Sequence, residues 1–319
     1  MAAFFLFGLT FGSFLNVCIY RLPRDLSVVS PRSMCPNCGE AIAFYDNIPV
    51  LSWIVLRGRC RNCKARISPR YAVVELLTGI LFVVAWLVPR TEWFADSYRR
   101  VTLSSFGAVT VSYEPSALAF QLCALSFFLV GLIFTDAETK LLPDLLTKPG
   151  VAVGFAFSLI VPVEGPARFF FHGIENWRIL SLLNSIAGAI VGSAFIFGVA
   201  LVYEALRRVE GMGRGDIKLM ALIGAFLGLK LTLLVLLLGS LVGSCFGLLL
   251  MGIVWRKRLA RRRRKHRAES TGAASRRAWQ SAQLVYRNFE IPFGVFLGSA
   301  ALASGFCGAV IIRWYLSFY

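Results

Sequence analysis

Negative charge is scarce in this sequence. Its 319 residues include 17 Asp and Glu against 34 Lys and Arg, a net charge of +17, and only 16% are charged at all. Polar character is short in general: 57% of the residues are hydrophobic and the mean hydropathy is +0.68. A soluble domain carries about 45–50% apolar residues, so an ordinary soluble protein is excluded. Alternation of apolar with polar residues is missing too. The apolar runs are continuous and about 20 residues long, which argues against a β-barrel and predicts helices that cross a bilayer. No basic segment precedes the first run, "MAAFFLFGLTFGSFLNVCIYRLPR". It reads as a retained helix rather than a cleaved signal peptide. No internal repeat is evident, and no glycine-rich nucleotide loop follows a strand.

What is present is a series of eight candidate spans, at 2–20, 72–89, 117–135, 147–163, 181–203, 219–237, 239–255 and 291–316. The sixth and seventh are joined by "LLGSLVG", which permits a tight reversal; fusing them into one helix is the main alternative count. The expected fold is all-α, a polytopic membrane bundle of about eight transmembrane helices with a small four-cysteine loop domain. In a soluble protein the excess of positive charge would suggest nucleic acid. Here it sits in two loops, 21–71 and 256–290, the second containing "RKRLARRRRKHR". Basic loops stay on the cytoplasmic side, so no nucleic acid is expected, and both loops are expected to face the cytoplasm against anionic headgroups. Loops 136–146 and 204–218 then fall on the same side. The domains expected are a first helix (1–20), a cysteine-rich cytoplasmic domain (21–71), a second helix with an outer loop (72–116), a core (117–255), a basic cytoplasmic loop (256–290) and a last helix (291–319).

Cys18, Cys123, Cys245 and Cys307 stand singly in apolar runs and are expected to be small core residues. The other four form two pairs, Cys35-x2-Cys38 and Cys60-x2-Cys63, with twenty-one residues between them. Two CxxC pairs at this separation suit a tetrahedral site with four thiolate ligands. In a cytoplasmic loop disulfides are disfavoured. Structural zinc is the preferred reading, with a redox dithiol as the alternative. Just beyond lies Glu75, one turn inside the second span, with loop arginines within reach as partners. Structural pairing and a ligand-contact role are both open to it.

Few acids approach the spans. Asp136 ends the third apolar run, Asp144 follows eight residues later, and Glu210 and Asp216 precede the sixth span, Asp216 within "GMGRGDIKLM". Asp136 and Asp216 thus both stand at cytoplasmic helix ends, where packing can bring them face to face. Two carboxylates about 3 Å apart share one proton. The ionised one can take a proton from water while the protonated one polarises an amide carbonyl. Gly213 and Gly215 suit close approach of an extended substrate backbone and unusual dihedrals. The competing reading makes the acids ion-pair partners: Asp216 with Lys218 or Arg214, and Asp136 with Lys140.

Taken in order, "GSFLNVCIYRLP", "CPNCGEAI", "NIPVLSWIVLRGRC", "CRNCKARISPRYAVVELLTG", "TDAETKLLPDLLT" and "EGMGRGDIKLMALIGAFLG" resemble the bacterial prepilin peptidases. These type IV leader peptidases are membrane aspartic peptidases of the GxGD class. The resemblance covers most of the chain. It implies that Asp136, heading a D-x6-P-D pattern with Pro143 and Asp144, and Asp216, of Gly213-Arg214-Gly215-Asp216, form the catalytic dyad. Asp144 and Lys218 become supporting residues. It also implies cleavage after a glycine of basic leaders of prepilins and type II secretion pseudopilins, at the cytoplasmic face of the inner membrane. Family members with the cysteine loop also N-methylate the new N-terminus, usually phenylalanine, with S-adenosylmethionine. Glu75 is a candidate for that cofactor by position only, and Glu138 and Glu210 for the leader. Loop 256–290 and segments 90–116 and 164–180 are longer than the family's pattern. Two other classes remain to be weighed: a non-enzymatic membrane scaffold whose zinc loop and basic segment recruit partners, and a transporter using the aspartates for proton coupling.

Overall fold

The computed structural model describes residues 1–96, 114–171, 173–174, 176–207, 213–265, 275–281 and 292–317. Among them the chain is helical, with no strand beyond two isolated β-bridges in the cysteine loop. The helices are α1 (Ala2–Arg21), α2 (Leu51–Val55), α3 (Arg70–Leu87), α4 (Pro115–Thr139), α5 (Asp144–Ser158), α6 (Ala167–Phe170), α7 (Trp177–Arg207), α8 (Arg214–Lys265) and α9 (Phe293–Leu316). Six of them, α1, α3, α4, α7, α8 and α9, are long and apolar enough to cross a membrane. The chain is a multi-pass membrane helix bundle. Helix α4 is its axis. It packs against α1, α3, α5 and α9 and buries Leu125, Leu129, Val130 and Leu132 completely or nearly so.

Three of the eight expected spans take other forms. The span expected at 147–163 is α5, of 15 residues. At 1.5 Å per residue it is about 22 Å long, short of the roughly 30 Å hydrocarbon core. Those expected at 219–237 and 239–255 both lie in α8, and "LLGSLVG" is helical throughout. The reversal sits instead at Gly228, whose φ of 70° and ψ of 179° suit only glycine. Met220 and Thr232 would be about 18 Å apart in a straight helix. Yet both lie within 3.1 Å of the point where Gly192 would carry a Cβ. Residues 214–227 therefore run up α7 and residues 229–265 run back down it.

Glycines make the crossing possible. Gly188 and Gly192 on α7, and Gly224 and Gly228 on α8, are two small-xxx-small pairs facing each other. A Cβ on Gly224 would come 2.2 Å from the carbonyl carbon of Gly188. The break also frees carbonyls at the end of residues 214–227. The Gln121 amide of α4 donates to the Phe226 carbonyl at 3.0 Å, and the Ser185 hydroxyl of α7 donates to that of Ala225. Gln121→Leu leaves a buried carbonyl unpaired and is expected to lower stability by about 1–3 kcal/mol, measured by unfolding of the purified protein in mixed micelles.

The returning limb brings Gly243 beside Phe293 and Phe296 at the start of α9 and then continues to Lys265. The first residues of the basic run thus form a projecting helix. The rest of loop 256–290, apart from 275–281, lies outside the described residues, as does Glu210. Cys18 and Cys123 are buried as expected, whereas Cys245 and Cys307 are exposed on the outer face of the bundle.

Candidate active site

Asp136 and Asp216 meet at one end of the bundle. Asp136 lies in the last turn of α4, which Lys140 terminates in the left-handed conformation (φ 56°) with its N–H on the Asp136 carbonyl. Asp216 lies in the first turn of α8, where a carboxylate complements the helix dipole. Both are buried, at 5% and 8% exposure. A Cβ on Gly294 would stand 2.8 Å from Oδ2 of Asp136 and 3.4 Å from Oδ1 of Asp216. The two carboxyl groups therefore converge on one glycine, and the charge of Asp136 acts on Asp216.

That glycine opens α9, an element to which sequence reasoning assigned no function. Val295 donates its backbone N–H to Oδ2 of Asp136 at 3.0 Å, and the Gly294 amide also bonds to this carboxylate. These are unpaired donors of a helix N-terminus, placed as an anion site. The signal was visible in "IPFGVFLG", where a proline precedes a glycine at the start of an apolar run.

The other predicted residues sort by contact. Lys218 pairs with Asp144 rather than with Asp216, and Asp144 also holds Lys148 at 2.8 Å. The pair joins α5 to α8 and leaves the Asp216 carboxyl to face Asp136. Gly215 packs its bare face on Leu142, 3.0 Å from the Cβ position, so this glycine admits the loop that follows Asp136. Gly213 is exposed, and among the described residues only the Gly215 backbone nitrogen comes within 4 Å of its Cβ position. Neither has a positive φ. Glu138 is ion-paired with Arg70 at the start of α3, which ties the end of the cysteine loop to the last turn of α4.

Glu75 is committed to the fold. Its Oε2 accepts the Val50 N–H at 2.7 Å and its Oε1 accepts the Asn16 amide at 3.5 Å, joining α1, α3 and the cysteine loop. Its partners are a backbone N–H and a side-chain amide. Both oxygens of Glu75 thus hold hydrogen bonds within the fold.

The four cysteines form two knuckles built alike. Cys35 N–H bonds to the Glu40 carbonyl and Cys60 N–H to that of Ala65, each at 2.9 Å. Gly39 (φ 71°) and Lys64 (φ 57°) make the same left-handed turn after each pair. The amides of Asn37 and Asn62 reach across to Cys63 and Cys38. All four Sγ atoms lie within 4.8 Å of one another, and Cys35 and Cys63 are 3.8 Å apart. Four thiolates at about 2.3 Å from a tetrahedral ion are about 3.8 Å apart, so the cluster can hold a metal ion. The Ala65 backbone N–H and then the Asn37 amide lower the pKa of Cys63 to about 6.

The family models for the bacterial peptidase A24 N-terminal domain and for the type IV leader peptidase family match residues 6–88 and 123–248. The first spans α1, the cysteine loop and α3; the second carries both aspartates. Proteins named prepilin leader peptidase/N-methyltransferase are similar over long stretches. That of Aeromonas hydrophila is 32% identical, covering 98% of this chain and 92% of the relative. That of Aeromonas salmonicida (strain A449) is 33% identical over the same shares. That of Myxococcus xanthus (strain DK1622) is 37% identical over 77% of this chain and 62% of the relative. No solved structure is a significant match. With relatives above 30% identity aligned over nearly their whole length, and both family models in place, this chain belongs to the type IV leader peptidase family.

Proposed function

We propose that the protein removes the basic leader from prepilins, and from type II pseudopilins, by hydrolysis between Asp136 and Asp216, and then N-methylates the exposed residue. The observation that carries the reading is the convergence of both buried carboxyl groups on Gly294. Asp136, held by the amides of α9, is the carboxylate that takes a proton from water as the oxygen attacks the scissile carbonyl. Asp216 holds the shared proton and donates a hydrogen bond to the carbonyl oxygen. The amide C–N bond then breaks, and the leaving nitrogen receives the proton taken from water. No metal and no covalent intermediate take part. The open face at Gly213 is the approach for the substrate backbone, and Asp144 with Lys218 braces the pair.

The dyad lies at the cytoplasmic face of the inner membrane. Charge supports this side: the cysteine loop between α1 and α3 is rich in arginine, and the basic arm of α8 projects from the end that carries the dyad. The ion in the cysteine loop is zinc, structural because four thiolates leave it no open position. The methyl donor is S-adenosylmethionine, which supplies an electrophilic methyl group; with Glu75 engaged in the fold, no step is assigned to it.

Incubating the purified protein with a prepilin peptide and S-adenosylmethionine tests the reading. A product lighter by the leader and heavier by one methyl group is expected; intact peptide overturns it. Cys35→Ser or Cys60→Ser is expected to release the zinc, seen by metal analysis, and to impair methylation more than cleavage. Purified wild-type protein without zinc would end the claim of a four-thiolate zinc site.

A further inference from the structure

A loop bathed in water turns apolar side chains inward. Residues 44–55, "FYDNIPVLSWIV", do the reverse. Phe44, Ile48, Leu51, Ile54 and Val55 are exposed, as is Asn47, while the side chains of Asp46, Ser52 and Trp53 hold partners within the loop. Ser52 Oγ donates to the Tyr45 carbonyl and accepts the Ile48 N–H, both at 3.1 Å. Trp53 donates its indole N–H to the Ile67 carbonyl at 3.3 Å. The side chain of Asp46 takes two hydrogen bonds from Arg61, at 2.6 and 2.7 Å. Five exposed apolar side chains on one short segment make a surface suited to a medium that offers no hydrogen bonds.

Its depth is set by a hydrogen bond. Val50, strained at φ 61° and ψ −49°, gives its N–H to Glu75. Glu75 lies five residues inside the start of α3, about 7 Å along the axis. Asn16, five residues from the end of α1, stands at the same level. The hydrogen bonds tie the segment to the first turns of α3 and the last turns of α1, the zone where interfacial helices lie at the boundary of headgroups and acyl chains. Helix α3 likewise exposes Val73, Leu76 and Ile80. In the chain there follow the exposed Arg57, Arg59, Arg61 and Lys64, charges that suit anionic headgroups.

We propose that residues 44–55 are a membrane-embedded hairpin, seated among the lipid acyl chains of the leaflet that borders the paired aspartates. The cysteine knuckles are then clamped flat on the membrane beside the dyad, not suspended in solvent. The proposal needs only that α1 and α3 span the bilayer and stands apart from the assignment of the catalytic pair.

The full-length protein, in vesicles of phosphatidylethanolamine and phosphatidylglycerol (about 3:1), is to carry photoreactive p-benzoylphenylalanine in place of Leu51, Ile54 or, as control, Lys64. Illumination is expected to give phospholipid adducts at positions 51 and 54 at least about tenfold above position 64. Equal yields at the three positions overturn the proposal. So do adducts at 51 to an added prepilin peptide that displace those to lipid, which would make the face a protein-docking surface. The unmodified protein supplies a check free of folding effects. A lipid-phase carbene reagent is expected to label residues 44–55 as heavily as α3, and an unlabelled segment overturns the proposal.

Discussion

Asp136→Asn and Asp216→Asn are each expected to abolish leader cleavage, lowering the rate by at least about 10³–10⁴-fold, the range set by loss of a general acid or base. Asparagine keeps the shape of the side chain, and at position 136 its carbonyl still accepts the Val295 N–H. What it cannot do is exchange a proton with water or with its partner. Because the two carboxyl groups act as one unit, the double variant should be no worse than either single one. Asp→Glu at either position should also fail, since an extra methylene moves the carboxyl group in a space where an atom on Gly294 would already touch both acids. Methylation of a pre-cleaved pilin peptide should survive in all of these, because the cysteine loop is intact. Product mass with cleaved and uncleaved substrates reads both activities. Wild-type cleavage by either Asn variant removes that residue from the dyad. Mild effects of both Asp→Glu changes would instead favour a scaffold whose acids are structural, or a transporter.

The second large effect is at a residue that touches no substrate by its own side chain. Gly294→Ala places a methyl group 2.8 Å from Oδ2 of Asp136 and 3.4 Å from Oδ1 of Asp216. The first distance is below any ordinary carbon–oxygen contact, so the carboxyl group, the start of α9 or both must shift. A displacement of about 1 Å in a reacting group costs about 10²-fold, and a fall of that size in kcat with KM little changed is expected. Val295→Ala should be nearly silent, because Val295 acts through its backbone N–H. A destabilised bundle would lose methylation along with cleavage; a disturbed dyad loses cleavage alone. If Gly294→Ala cleaves prepilin at the wild-type rate, the N-terminus of α9 is no part of the site.

Much of the architecture was legible because lipid imposes local rules. A run of apolar residues reports a spanning helix wherever its neighbours lie, and α1, α3, α4, α7 and α9 appear where the runs predicted them. The cysteine cluster was legible for a similar reason. Ligand spacing within each CxxC pair is a property of one knuckle, and the two knuckles need only fold back on each other. The reversal in α8 was misplaced because hydropathy does not register it. The residues on both sides of Gly228 are equally apolar, and "LLGSLVG" offered the more obvious glycines. The usable sign was the pair of small-xxx-small motifs at 188–192 and 224–228, which announces two backbones in contact.

The sequence by itself therefore determined an all-helical membrane bundle, a metal-competent cysteine loop, and two aspartates placed at helix ends. Each follows from the composition of a single contiguous stretch. Only the tertiary structure decided that Asp136 and Asp216 meet, that residues 158 positions beyond Asp136 supply the amides against it, and that Lys218 turns to Asp144. It decided likewise that Glu75 is spent on the backbone of Val50. These are contacts between segments far apart in the chain. They depend on which helix faces pack and how closely glycines let them approach, and that is settled by the bundle as a whole rather than by any stretch within it.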